Sequence, residues 1–221
     1  MKPIWKFRLL ALLIFAFVGG VSIANLAADF LRPTPSPLPS RTSKAPTPDQ
    51  IASAGRAAAI APFRSDLNAD YALALAGQTL KSEYTGQAQS DGTAQNAVRN
   101  ALKISPHDSR LWLVLALLQS RSNLGDPLIA ESLKMSYFTG PSRAELIPTR
   151  LGTVTLSNAL ADSDLNELAR GDVRATLTQF PDQRQALVAD FVRGSSIGKA
   201  FLEENARIFD PKFADSLRNS K

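Results

Sequence analysis

Twenty consecutive uncharged residues, 9–28, follow Lys2, Lys6 and Arg8 at the start of the chain, and no other segment constrains the molecule as strongly. At about 1.5 Å rise per residue a helix of that length covers roughly 30 Å, the hydrocarbon thickness of a bilayer. The basic residues precede the run, so the positive-inside preference leaves residues 1–8 in the cytoplasm. Everything after the run is then expected on the far side, the periplasm of a bacterium. A cleaved signal peptide is the alternative. The basic start, the apolar stretch and the small pair Ser22 and Ala24 also suit a small-x-small cleavage site. Both readings export the remainder.

Charge narrows the partner. The net charge of +5 arises within residues 1–48, where six basic residues face Asp29 alone; the 19 basic and 19 acidic residues of 49–221 cancel. Nucleic-acid binding needs concentrated positive charge, and the body of the chain has no excess to concentrate. With no cysteine, disulfides, metal thiolates and thiol nucleophiles are absent, and stability rests on packing.

Residues 29–48 read as a linker. Pro33, Pro35, Pro37, Pro39, Pro46 and Pro48 fix φ and remove backbone donors, which blocks helix and sheet. The expectation is an extended spacer of up to roughly 50 Å that holds the next domain above the bilayer.

From residue 49 to 221 the spacing of apolar residues is helical. Helices are expected near 49–60, 65–82, 92–104, 108–121, 127–138, 143–160, 164–179, 183–194, 196–208 and 212–219. Ser142 with Glu145, and Asp164 with Glu167, have capping-box spacing. Asp126-Pro127 places an acceptor before a first-turn proline. Gly140-Pro141 and Gly194 read as stops, and Pro148 as a restart. Residues 111–118, LWLVLALL, are apolar on every side yet too few to span a bilayer. They should form the central buried helix, with Trp112 as a packing residue.

A small residue, four residues and then a proline recur at Ala57…Pro62, Ala101…Pro106, Thr176…Pro181 and Ala206…Pro211. After Pro106 come Trp112, Leu115 and Ala116, and the Ser132-Leu133 pair trails Ala101-Leu102 by 31 residues. In these positions the chain resembles the tetratricopeptide-like (TPR-like) helical repeats, with degenerate repeats. Tyr137 stands where a closing proline is usual, and Gln119 where an aromatic is usual. The resemblance implies an all-α domain of antiparallel helix pairs stacked as a short solenoid or bundle, with a concave face that binds peptides or protein surfaces.

Recognisable chemistry is scarce. His107 is the only histidine and follows Pro106 in a turn; one His without Cys supports neither a zinc site nor a persuasive triad. Gly194-Ser-Ser-Ile-Gly198-Lys199-Ala200 is one residue short of a phosphate loop, lacks the Ser or Thr after lysine, and follows no strand, so an interhelix turn is the reading. The carboxylate pairs Glu203/Glu204 and Asp162/Asp164 suit solvated helix faces. No metal or cofactor is expected. The candidate binding residues are Tyr137, Phe138, Arg143 and Arg150, because Tyr, Phe and Arg dominate interaction hot spots; the two arginines are the candidate anion contacts. Together these features point to a non-enzymatic, membrane-anchored adaptor that faces the periplasm and binds another envelope protein, by analogy in surface polysaccharide assembly or export. The alternative is an envelope enzyme acting on glycan through carboxylates brought together by folding.

Overall fold

The computed structural model describes residues 3–34, 38–39, 44–82 and 88–218, and among them the chain is all-α, with no strand. Lys2 and the linker residues Pro35, Pro37 and 40–43 lie outside the described residues. The helices are α1 (Pro3–Leu31), α2 (Pro48–Ile60), α3 (Ser65–Lys81), α4 (Ala88–Ile104), α5 (Ser109–Ser122) and α6 (Leu128–Thr139). They continue as α7 (Ile147–Leu156), α8 (Ser163–Thr178), α9 (Arg184–Arg193), α10 (Ser196–Phe209) and α11 (Pro211–Arg218). Short 3-10 turns at Ala144–Leu146, Asn158–Ala161 and Pro181–Gln183 join the later helices. Residues 5–31 of α1 form a helix long and apolar enough to cross a membrane.

Local chemistry explains most boundaries. Thr47 and Gln50 form a reciprocal capping box around Pro48, so the last linker residues begin α2. Asp108 caps α5 by accepting from Arg110 N at 3.0 Å, and Asp126 Oδ1 accepts from Leu128 N at 2.9 Å to open α6. Two expected boxes do not form. At Ala144–Leu146 the preceding position belongs to Arg143 with no side-chain cap, which breaks the expected 143–160 helix into a 3-10 turn, α7 and a second 3-10 turn. At α8 the cap is Asp162, whose Oδ1 accepts from Leu165 N at 3.0 Å, in place of Asp164.

Packing produces two layers. Helices α3, α5, α7 and α9 lie against one another in succession, and α6, α8 and α10 form a second row behind them. Helix α5 joins the halves of the body. Its Leu111, Val114, Leu115 and Leu118 pack into a core with α3 and α4, and its Leu113 and Ala116 pack into a core with α6 to α11. Trp112 is half-buried, packs on the first of these cores and donates from Nε1 to Pro106 O at 2.8 Å. The Gln119 that departs from the repeat pattern is buried and accepts from Ser132 Oγ at 2.9 Å, so a polar pair joins α5 to α6 there.

The described linker residues do not stand off as an extended spacer. Helix α1 runs on to Leu31, and Ala28 and Leu31 pack with Ala57, Ala58, Ala61 and Leu67 of the α2–α3 corner. Arg32 pairs with Asp66 and Asp70 at 2.9 and 2.7 Å, and Arg64 reaches back to Asp29 at 2.6 Å. Further along, Leu38 packs on both main cores, Pro39 is buried, and the ring of Pro46 lies against Gly77 of α3. Proline cannot continue a helix, but its ring is a compact apolar surface. The linker therefore gains more by lying on the body than by extending into water.

Candidate functional site

The four residues singled out in the sequence do not share a surface. Phe138 is 65% exposed and Arg143 is exposed, 3.6 Å from Glu145. Tyr137 and Arg150 are interior residues, and Arg150 is 0% exposed. Arg150 is therefore not a surface anion contact. It donates from Nε to Ser136 Oγ at 3.1 Å and from Nη2 to the carbonyls of Ser136 and Gly140, closing the C-terminal end of α6. Carbonyls at a helix C-terminus lack intrahelical partners and carry partial negative charge, so a buried guanidinium satisfies them well. Its position was visible in the spacing: residue 150 lies on the face of α7 that carries Ile147, Leu151 and Val154, all buried.

Arg150 also stacks 4.3 Å above the ring of Tyr137, whose hydroxyl donates to Asp172 Oδ2 at 2.7 Å. Burial pushes the Asp172 carboxyl up to about 6, against the hydrogen bond from Tyr137 and the nearby Arg150, and it pushes the Tyr137 phenol up as well. The folded carboxyl keeps its proton to higher pH than the unfolded one. That contribution to stability is present below about pH 4 and is lost as pH rises to about 6, a change on the order of 3 kcal/mol. Asp66 and Asp162 run the other way. The hydrogen bonds from Arg64 and Lys134 hold them low, so their contribution is lost as pH falls below about 4. Denaturant titrations of the detergent-solubilised chain should therefore show greatest stability near pH 4–5, with the decline above it abolished by Asp172→Asn.

The other carboxylates noted in the sequence have ordinary surroundings. Glu203 pairs with Arg218, Asp162 pairs with Lys134, and Asp164 and Glu204 face solvent. His107 is exposed. Among the described residues no group of three or more His, Asp or Glu side chains is placed to hold a metal ion.

A concavity lies elsewhere. A groove of about 690 Å³ runs across the layer formed by α3, α5, α7 and α9. Its walls are Leu80 and Lys81 of α3, Leu117 and Ser120 of α5, and Ala186, Ala189, Asp190 and Arg193 of α9. Its floor is α7, through Pro148, Thr149, Gly152, Thr153 and Leu156. Gly152 is small for a reason: a Cβ there would lie 3.0 Å from Asp190 Oδ1, so the glycine lets the carboxylate of α9 close over α7. The Thr153 hydroxyl is satisfied by the carbonyl of Thr149 at 2.7 Å, which leaves its methyl side for apolar contact. Lys81 and Arg193 are exposed, so cations stand at the rim and apolar surface lies within. Linker residue Pro39 also lines this groove.

None of these groove residues was singled out in the sequence as a binding residue. Most are Ala, Thr, Leu and Pro, types that serve in any helical core, and only the packing of alternate helices gathers them. Comparison with family models, with curated proteins and with solved structures returns no match.

Proposed function

We propose that the chain is a membrane-anchored adaptor whose groove across α3, α5, α7 and α9 receives an extended, proline-bearing segment of a partner protein. The observation that carries this reading is Pro39, a buried residue of the chain's own linker that forms part of the groove's lining. It supports a proline-compatible occupant, because the groove's own lining already includes a buried proline beside Leu, Ala and Thr. Proline-containing segments bind well because little conformational freedom is left to lose. A groove lined by alternate helices is also what the tetratricopeptide-like resemblance of Ala101, Pro106, Trp112, Leu115 and Ala116 implies.

The remainder of the proposal concerns place. Helix α1 is the anchor, residues 1–8 remain in the cytoplasm, and the body faces the periplasm beside another protein of the cell envelope. By analogy with exported repeat proteins, that partner belongs to envelope machinery such as surface polysaccharide assembly or export.

The test is crosslinking in intact cells. A photoreactive amino acid is placed at Thr149 or Ala186 in the groove, and at Arg174, an exposed residue of α8, as the comparison. Groove positions are expected to give a discrete adduct that maps to an extended proline-containing peptide, with none from position 174. Equal adducts from all three positions, or none from the groove, would defeat the proposal.

A further inference from the structure

Residues 5–31 of α1 amount to 27 residues, which at about 1.5 Å each cover roughly 40 Å. That exceeds a hydrocarbon core of about 30 Å and reaches through one headgroup layer. The last turn of α1 therefore sits at the membrane–water boundary, and whatever packs on that turn sits there too. What packs on it is the α2–α3 corner, through Ala57, Ala58, Ala61 and Leu67 against Ala28 and Leu31.

This corner carries an apolar surface that is exposed among the described residues. Phe63, in the turn between α2 and α3, is 92% exposed, the highest value for any large apolar side chain among the described residues. Phe30, on α1, is 84% exposed, and Ile60 ends α2 on the same corner, also exposed. The two phenylalanines are tied together by their neighbours in sequence, because Arg64 bonds to Asp29 at 2.6 Å. A large aromatic side chain left in water at the tip of a turn contributes nothing to folding; buried between lipid headgroups it covers its apolar area.

We propose that the α2–α3 corner is a lipid-docking element, with Phe63, Ile60 and Phe30 inserted into the headgroup layer beside the exit of α1. The proposal rests on reading α1 as a membrane span. The charges of this region pair among themselves, Arg64 with Asp29 and Asp66, and Arg32 with Asp66 and Asp70. The contact is therefore apolar in origin, requires no anionic lipid and persists in high salt.

Because the chain has no cysteine, single labelling sites can be introduced without background. Full-length protein is reconstituted in phosphatidylcholine vesicles with a nitroxide at Ile23→Cys, Pro62→Cys or Phe138→Cys. Collision of each label with oxygen, which concentrates in lipid, is compared with collision with a water-soluble nickel chelate. The labels at 23 and 62 should favour oxygen several-fold over the label at 138. Adding Phe63→Asp to Pro62→Cys should move that label toward the aqueous value while the label at 23 is unchanged. If position 62 reads as aqueous as 138 while 23 stays in lipid, docking is refuted and the span survives. If position 23 is itself aqueous, both fall.

Discussion

Replacing Gly198 with alanine should loosen or unfold the C-terminal half of the body. The N-terminus of α10 is held against the last turn of α7 by Ser195, whose backbone N–H and hydroxyl both donate to Thr155 O, at 3.0 and 2.9 Å. The Ser195 hydroxyl in turn accepts from Gly198 N at 3.1 Å and caps the helix. This geometry brings Gly198 so close to Thr155 that an added Cβ would lie 2.1 Å from the carbonyl oxygen and 2.7 Å from its carbon. Backbone cannot swing aside as a flexible side chain can, so α10 must move off α7 and surrender the two hydrogen bonds from Ser195 to Thr155 O. A cost at or above the upper end of about 1–3 kcal/mol is expected, which for a body of this size lowers Tm by roughly 6–12 °C. Gly171→Ala is the control. Gly171 is exposed on α8 with nothing within 4 Å of an added Cβ. Alanine there should stabilise by up to about 1 kcal/mol through helix propensity. Calorimetry of the two variants with the parent protein checks both signs at once. The glycine and lysine spacing that looks at first like a phosphate loop is, in the fold, a helix crossing that only glycine permits.

Arg150→Ala should be comparably damaging. Truncation leaves the carbonyls of Ser136 and Gly140 without their donor and the carboxyl of Asp172 without its nearby cation, and it opens a void beneath Tyr137. Removing one member of a buried charged network typically costs about 3–5 kcal/mol. Arg150→Lys should recover only part of this, because an ammonium cannot reproduce the fork that spans Ser136 and Gly140. Arg143→Ala, at an exposed position of the same stretch, should change stability by no more than about 0.5 kcal/mol. Urea titrations of these three variants rank the two arginines. Equal losses at 143 and 150 would show that Arg150 is not the cap of α6.

Helices were legible wherever the chain carries hard punctuation. Thr139-Gly140-Pro141, Asp126-Pro127 and Gly194 each fall at a helix end in the structure, and LWLVLALL is the buried centre of the body. Capping boxes were less reliable, because several acceptors compete for the same amides. At α8 Asp162 wins over Asp164, because it stands three residues before Leu165, where an N-cap carboxylate reaches that amide. The linker was misread because proline excludes helix and sheet but does not exclude docking, and the local pattern cannot say what surface lies beside it. Tyr137 and Arg150 lie inside the body for a related reason. Composition marks Arg as a surface type, yet Arg150 sits on the apolar stripe of α7, where carbonyls of another helix await a donor. The groove was not legible, since it exists only once α3, α5, α7 and α9 are laid side by side.

The junction between α1 and the body has a mechanical consequence. With Ala28 and Leu31 inside a shared core and two arginines clamped across the joint, the bilayer-length rod and the globule must turn together. On the proposed reading of α1 as a membrane span, twist or tilt imposed on it by a neighbour in the lipid plane would reorient the cleft as a rudder follows its shaft. A truncated soluble version lacking the rod would lose that steering along with part of its own interior.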